Sequence, residues 1–107
     1  MREETHFTEV RELPSGDVVR IDFRFVAKRG KIKDFAINIT LLENEKTEDV
    51  YRVDTKHKYL HEQRFWVSPK SQKLDYTNYN AAFKDKKEEV LKNYGKWVKW
   101  FRIKRGG

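Results

Sequence analysis

Hydrophobic and polar residues alternate along four stretches of the chain with the two-residue period of strands buried on one face. In residues 18–28 the inward set is Val19, Ile21, Phe23 and Phe25, separated by Arg20, Asp22 and Arg24. In residues 32–42 it is Phe35, Ile37, Ile39 and Leu41, opposed by Asp34, Ala36, Asn38 and Thr40. Lys28-Arg29-Gly30-Lys31 between these runs has the chemistry of a tight turn, which predicts a hairpin. Residues 50–55 place Tyr51 and Val53 inward with Arg52 and Asp54 outward. Residues 63–68 place Phe65 and Val67 inward with Arg64 and Trp66 outward, and Pro69 ends the run. Residues 5–13 add an edge strand before Pro14-Ser15-Gly16-Asp17, although Phe7, Val10 and Leu13 do not alternate.

From residue 78 to 102 the period becomes helical, with Phe83, Val90, Leu91, Tyr94, Trp97, Val98 and Phe101 on one stripe and Thr77, Asn78 or Asn80 able to cap its start. Residues 70–77 are polar and are read as a linker, and residues 103–107 as a basic tail. The prediction is an α+β fold in one domain over residues 1–107: an antiparallel four- to five-stranded β-meander over residues 5–69, with one long C-terminal amphipathic helix packed across one face.

Strand pairing follows from keeping every apolar row on that face. Centring the first hairpin on Gly30 sets Ile21 opposite Ile39 and Phe25 opposite Phe35. Centring the next on Lys46 sets Leu41 opposite Tyr51, and centring the third on Tyr59 sets Val53 opposite Phe65. The far face then carries Arg20, Thr40, Arg52 and Trp66 in one row and Asp22, Asn38, Asp54 and Arg64 in the next. Arginines around an exposed aromatic suit a stacked base and its phosphates, so Arg20, Arg24, Arg52 and Trp66 are candidate nucleic-acid contacts. Ordinary cross-strand ion pairs, or a dimer interface over Trp66, would use the same residues.

Composition narrows the classes. The chain of 107 residues has no cysteine, which excludes disulfide frameworks, zinc fingers and thiolate chemistry. Its longest apolar runs are three residues, as in Phe65-Trp66-Val67, and cannot span a membrane, and its first residues do not form a signal peptide, so a cytoplasmic location is expected. Few Gln and Met with heavy Lys and Glu usage is a thermophile-like composition. The 24 Lys and Arg exceed the 17 Asp and Glu by seven, and the segment from Lys84 onward accounts for six of those seven charges. Lys92, Lys96 and Lys99 share one helical face, and with Arg102 they would attract nucleic acid or an acidic protein partner.

The densest chemistry is in residues 51–64. A metal-free RNA cleavage needs a base, an acid and cations around the phosphorane, roles open to His57, His61, Arg64, Arg52 and Lys58, with Asp54 orienting an imidazole. His57 and His61 straddle a turn rather than one helical face, so no metal site and no cofactor are expected. Neither a phosphate loop nor a serine-nucleophile motif is present in the sequence.

Arg52-Val53-Asp54 followed by His57 and His61, with a meander before and a basic helix after, resembles the TumE-type toxin-like proteins of prokaryotic toxin-antitoxin systems. The resemblance lies mainly in residues 50–66. The chain differs in carrying Thr55-Lys56-His57 where that family has an Asn and adjacent histidines. The resemblance implies a toxin-type protein that binds or cleaves RNA and is neutralised by an acidic antitoxin-like partner. The other class the residues allow is a non-enzymatic module that forms a homodimer or binds a protein through its polar sheet face.

Overall fold

A computed structural model describes residues 2–56, 59–67, 71–76 and 78–106. It contains an antiparallel sheet of six strands in chain order: β1 (Arg2–Glu12), β2 (Val18–Lys28), β3 (Lys31–Glu43), β4 (Lys46–Asp54), β5 (Leu60–Arg64) and β6 (Ser71–Leu74). One helix follows, α1 (Tyr79–Arg105), lying across the sheet over β3 and β4. The fold is α+β, with six strands rather than the expected four to five. The extra strand, β6, lies in the stretch read as a linker. Ser-Gln-Lys-Leu has no alternating apolar pattern to announce it, and it forms because Leu74 lies opposite Leu60. The helix extends past residue 102 to take in Ile103, Lys104 and Arg105, which were expected in a tail.

The first hairpin has the predicted register, with Ile21 opposite Ile39 and Phe25 opposite Phe35. Its turn places Arg29 and Gly30 at φ 54° and 76°, the paired positive values of the turn type that matches strand twist. The next turn uses Asn44 and Glu45 at 51° and 64° in the same way. It centres that hairpin between Asn44 and Glu45 rather than on Lys46, so that Leu41 lies opposite Glu48 and Ile39, not Leu41, lies opposite Tyr51. A shift in register beyond that pair makes Val50 the extra residue of a bulge, which lets Val50 and Tyr51 both enter the core.

The last register departs furthest. Tyr51 lies opposite Arg64 and Val53 opposite Glu62, so β5 spans residues 60–64 and its side chains face the opposite way from the expectation. Leu60, Glu62 and Arg64 turn toward the helix. Phe65 and Trp66 leave the strand in a turn, and Trp66 folds back under the helix.

The core lies between the sheet and α1. Phe83 contacts the rings of Phe23, Phe25 and Phe35 at centroid distances of 6.5, 5.2 and 5.4 Å. Trp97 packs on Tyr51 at 4.6 Å and on Trp66 at 5.3 Å. Asn78 caps the helix, its Oδ1 accepting from the N–H of Asn80 at 2.8 Å and of Ala81 at 3.2 Å. Asn80 clasps the first hairpin instead, donating to the Gly30 carbonyl at 3.1 Å and accepting from the Ile32 N–H at 2.8 Å. At the other end Arg102 bonds Asp17 and Glu43, and Arg105 bonds Glu43 and Glu48.

Gly95 is exposed within α1, and a methyl group added there would meet nothing within 4 Å. Gly95→Ala is therefore expected to stabilise the protein by about 1 kcal/mol through helix propensity, measured by urea denaturation. A destabilised variant would mean that the space beside Gly95 is used.

Candidate nucleic-acid interface and the polar notch

The face of the sheet turned away from α1 carries two cross-strand rows. One runs Thr8, Asp22, Asn38, Arg52, Gln63, Ser71, and the other His6, Arg24, Ala36, Asp54, His61, Lys73. Of the residues singled out from sequence, Arg20, Arg24, Arg52, Asp54 and His61 share this face. His57 and Lys58 lie outside the described residues.

Ala36, the smallest side chain in its row, floors a depression of about 390 Å³ walled by Arg24, Asp34, Arg52, Asp54, Thr55 and Lys56. A smaller hollow of about 180 Å³ beside it is lined by Arg52, Asp54, Lys56, His61 and Gln63. Asp54 is nearly buried. One of its carboxylate oxygens accepts from Arg52 Nε at 3.1 Å and the other from the Lys56 N–H at 3.2 Å. His61 Nε2 is hydrogen-bonded to the Ser71 hydroxyl, and its ring meets Tyr59 edge-on at 6.1 Å. The cations on this face are largely balanced: Arg24 bonds Asp34 at 3.1 Å, Arg20 bonds Asp22 at 3.1 Å, and Arg52 holds Asp54. Among the described residues, no group of three or more His, Cys, Asp or Glu side chains could hold a metal ion.

Two residues expected on this face are on the other. Trp66 is 8% exposed and packs beside the Tyr51–Trp97 pair, its ring 6.4 Å from Tyr51 and 5.3 Å from Trp97. Arg64 donates to Glu62 at 3.0 Å and lies over the Trp97 ring at 5.9 Å. The cause is the register of β5, displaced by an odd number of residues, which exchanges its two faces. Arg64 is thereby separated by the thickness of the sheet from Asp54 and His61.

Glu62, which carries no signal of its own in the sequence, takes the inward place. Its carboxylate is fully buried and accepts four hydrogen bonds. Oε2 receives Tyr51 Oη at 2.5 Å and Lys86 Nζ at 3.0 Å, and Oε1 receives Arg64 Nε and Gln72 Nε2, each at 3.0 Å. Burial opposes the Glu62 charge, but the bonds from Tyr51 and Lys86 outweigh it and hold this carboxyl below the usual range. Burial and the adjacent carboxylate push the Tyr51 hydroxyl far above the usual phenol range. Lys86, spaced between Phe83 and Val90 on the apolar stripe, was the available signal for a buried acidic partner.

The helix divides its cations sharply. Lys86, Arg102 and Arg105 are engaged by carboxylates. Arg102, expected to contact nucleic acid, thus holds the helix end to the loops instead of facing solvent alone. Lys84, Lys92, Lys96, Lys99 and Lys104 are exposed. Beside them Trp100 is 42% exposed, with Lys96 Nζ 5.5 Å from its ring centroid. The exposed aromatic flanked by cations, expected at Trp66 on the sheet, is found at Trp100 on the helix.

The chain belongs to a family described as a domain of unknown function (DUF7718), whose model matches residues 1–106. No curated protein and no solved structure matches it. Among the described residues no helix is long and apolar enough to cross a membrane.

Proposed function

We propose that this member of the DUF7718 family is a small cytoplasmic protein that binds single-stranded RNA on the outer face of the C-terminal half of α1. The observation that carries the reading is Trp100, half-exposed with Lys96 over its ring, in a field of exposed lysines at 92, 99 and 104. A ring open to solvent offers any base a stacking surface, and lysine ammonium groups around it take the phosphates by releasing counterions. The sheet face supports this role less, because its arginines already face carboxylates.

Fluorescence anisotropy of a labelled single-stranded RNA, read at low and moderate salt, tests the reading. Parent protein is expected to bind with a steep salt dependence. Lys96→Ala with Lys99→Ala should lower the slope of log affinity against log salt by about 1.4, near 0.7 for each phosphate no longer neutralised. Trp100→Ala should weaken binding about tenfold with the fold unchanged. A flat signal at low salt would end the RNA reading and leave the lysine face to an acidic protein partner.

A cleavage activity has its support elsewhere, in Arg52, Asp54, Lys56 and His61 around one hollow. There His61 would move the proton and the cations would hold the phosphorane, without a metal. The hollow lies across the sheet from α1, so an RNA would have to pass round the sheet edge to meet both, and His61→Ala separates the two roles: cleavage of a long RNA is lost while its affinity for α1 stays. An unchanged cleavage rate would remove His61 from the chemistry.

A further inference from the structure

We propose that β1 pairs with the β1 of a second copy of this chain, joining two sheets across a two-fold axis that passes between the two copies of Phe7. β1 borders the sheet, with β2 as its only strand neighbour among the described residues. It is 11 residues long, whereas β6 at the opposite border has four. A free edge of that length presents a full row of backbone donors and acceptors, a ready template for another strand.

The side chains select what can pair there. Directly opposite residues of antiparallel strands point to the same face, and a two-fold axis normal to the sheet keeps each residue on its own face. Only registers that join odd positions with odd and even with even therefore close into a dimer. Placing Phe7 opposite Phe7 sets Glu3 opposite Arg11 twice, with Thr5 facing Glu9, His6 facing Thr8 and Glu4 facing Val10. Sliding by two residues one way sets Glu3 opposite Glu9, and the other way sets Glu4 opposite Glu12, each a like-charge pair made twice. The charges that discourage foreign strands thus complement a second copy in the register centred on Phe7, which pairs all of β1, and oppose it in the registers two residues to either side.

The apolar contacts agree. The half-buried Phe7 ring stacks on Phe23 at a centroid distance of 4.8 Å, and Phe23 meets Phe83 edge-on. A second Phe7 across the axis would continue this line of rings from one core to the other. Val10, 60% exposed in the free chain, would be covered by the aliphatic stem of Glu4.

Sedimentation velocity on the full chain, from micromolar to millimolar concentration, tests the proposal without reference to RNA. A monomer–dimer equilibrium is expected. Glu3→Arg and Arg11→Glu should each weaken the dimer about tenfold, since each puts two like-charge pairs at the seam, and combining them should restore it to within about threefold. Both residues lie on the free edge, so circular dichroism should be unchanged throughout. A chain that stays monomeric at millimolar concentration overturns the proposal. So does a dimer indifferent to the single reversals, or one that stays weak when they are combined.

Discussion

Replacing Lys86 with methionine is expected to destabilise the protein by about 3 kcal/mol, although methionine is the more apolar residue and the site is buried. The carboxylate of Glu62 explains the sign. It has no exposure, and Lys86 is the cation bonded to it from the helix. Removing Lys86 leaves the buried carboxylate with Arg64, a partly exposed cation, as its counter-ion, and the desolvation cost then outweighs the attraction that remains. Changing both residues, Glu62→Leu with Lys86→Met, should therefore cost less than the sum of the two single changes by about 2 kcal/mol in a double-mutant cycle. Urea denaturation of the four proteins measures this, and a Lys86→Met variant within about 1 kcal/mol of the parent would show that Glu62 does not depend on the pair. The same site sets an acid limit. The folded Glu62 carboxyl titrates below its unfolded value because the Tyr51 and Lys86 bonds outweigh burial. Its contribution is present in full above the unfolded carboxylate range and is lost as pH falls through the folded value. The Lys86→Met protein should lose much of that acid-range slope.

Trp66→Ala is the second large effect, expected at about 3–5 kcal/mol, the cost of emptying a large aromatic site in a packed core. Trp66 touches Tyr51, Trp97 and Trp100 in one aromatic group that joins the sheet to the helix. Trp100→Ala, at the exposed rim of that group, should cost no more than about 1 kcal/mol. Thermal or urea unfolding of the two variants distinguishes a core Trp66 from a surface one. Equal small losses would mean that Trp66 is solvated and the inward turn after β5 is not populated.

Where apolar residues alternated strictly, the sequence was readable to the register. Ile21, Phe23, Ile37 and Ile39 allow only one pairing of β2 with β3, and the turn at Arg29-Gly30 agrees with it. The stripe from Phe83 to Phe101 likewise located the helix. Legibility failed where the inward residue was charged. β5 reads Leu-His-Glu-Gln-Arg, and nothing in that string says Glu62 is inside, because its burial depends on Tyr51, Gln72 and Lys86 from three other elements. The apolar-looking Phe65-Trp66-Val67 offered a more hydrophobic strand with its two faces exchanged, and following it displaced Arg64 and Trp66 together. For the candidate site, sequence placed Asp54, Arg52 and Arg24 on one face, as the strand registers have them, whereas His61, read as part of a turn, joins them only through the register of β5. It could not show that Arg24 and Arg52 meet carboxylates there, or that Trp100 supplies the open ring.

The clasp of the helix over the sheet also bears on how the chain is made. Sheet order follows chain order, so each strand can join its predecessor as it leaves the ribosome, with little waiting. The apolar face built by Ile21, Phe23, Ile37, Ile39 and Tyr51 is different, because its lid is α1, and Trp97 and Val98 follow every strand. From the completion of the strands until α1 emerges, that face is a finished but uncovered surface, the kind of exposure that draws chaperones and nascent-chain aggregation. A ribosome paused with β6 outside its exit tunnel and α1 still inside would hold an assembled sheet whose greasy side faces solvent, and the speed at which the α1 codons are read would govern how much protein survives synthesis.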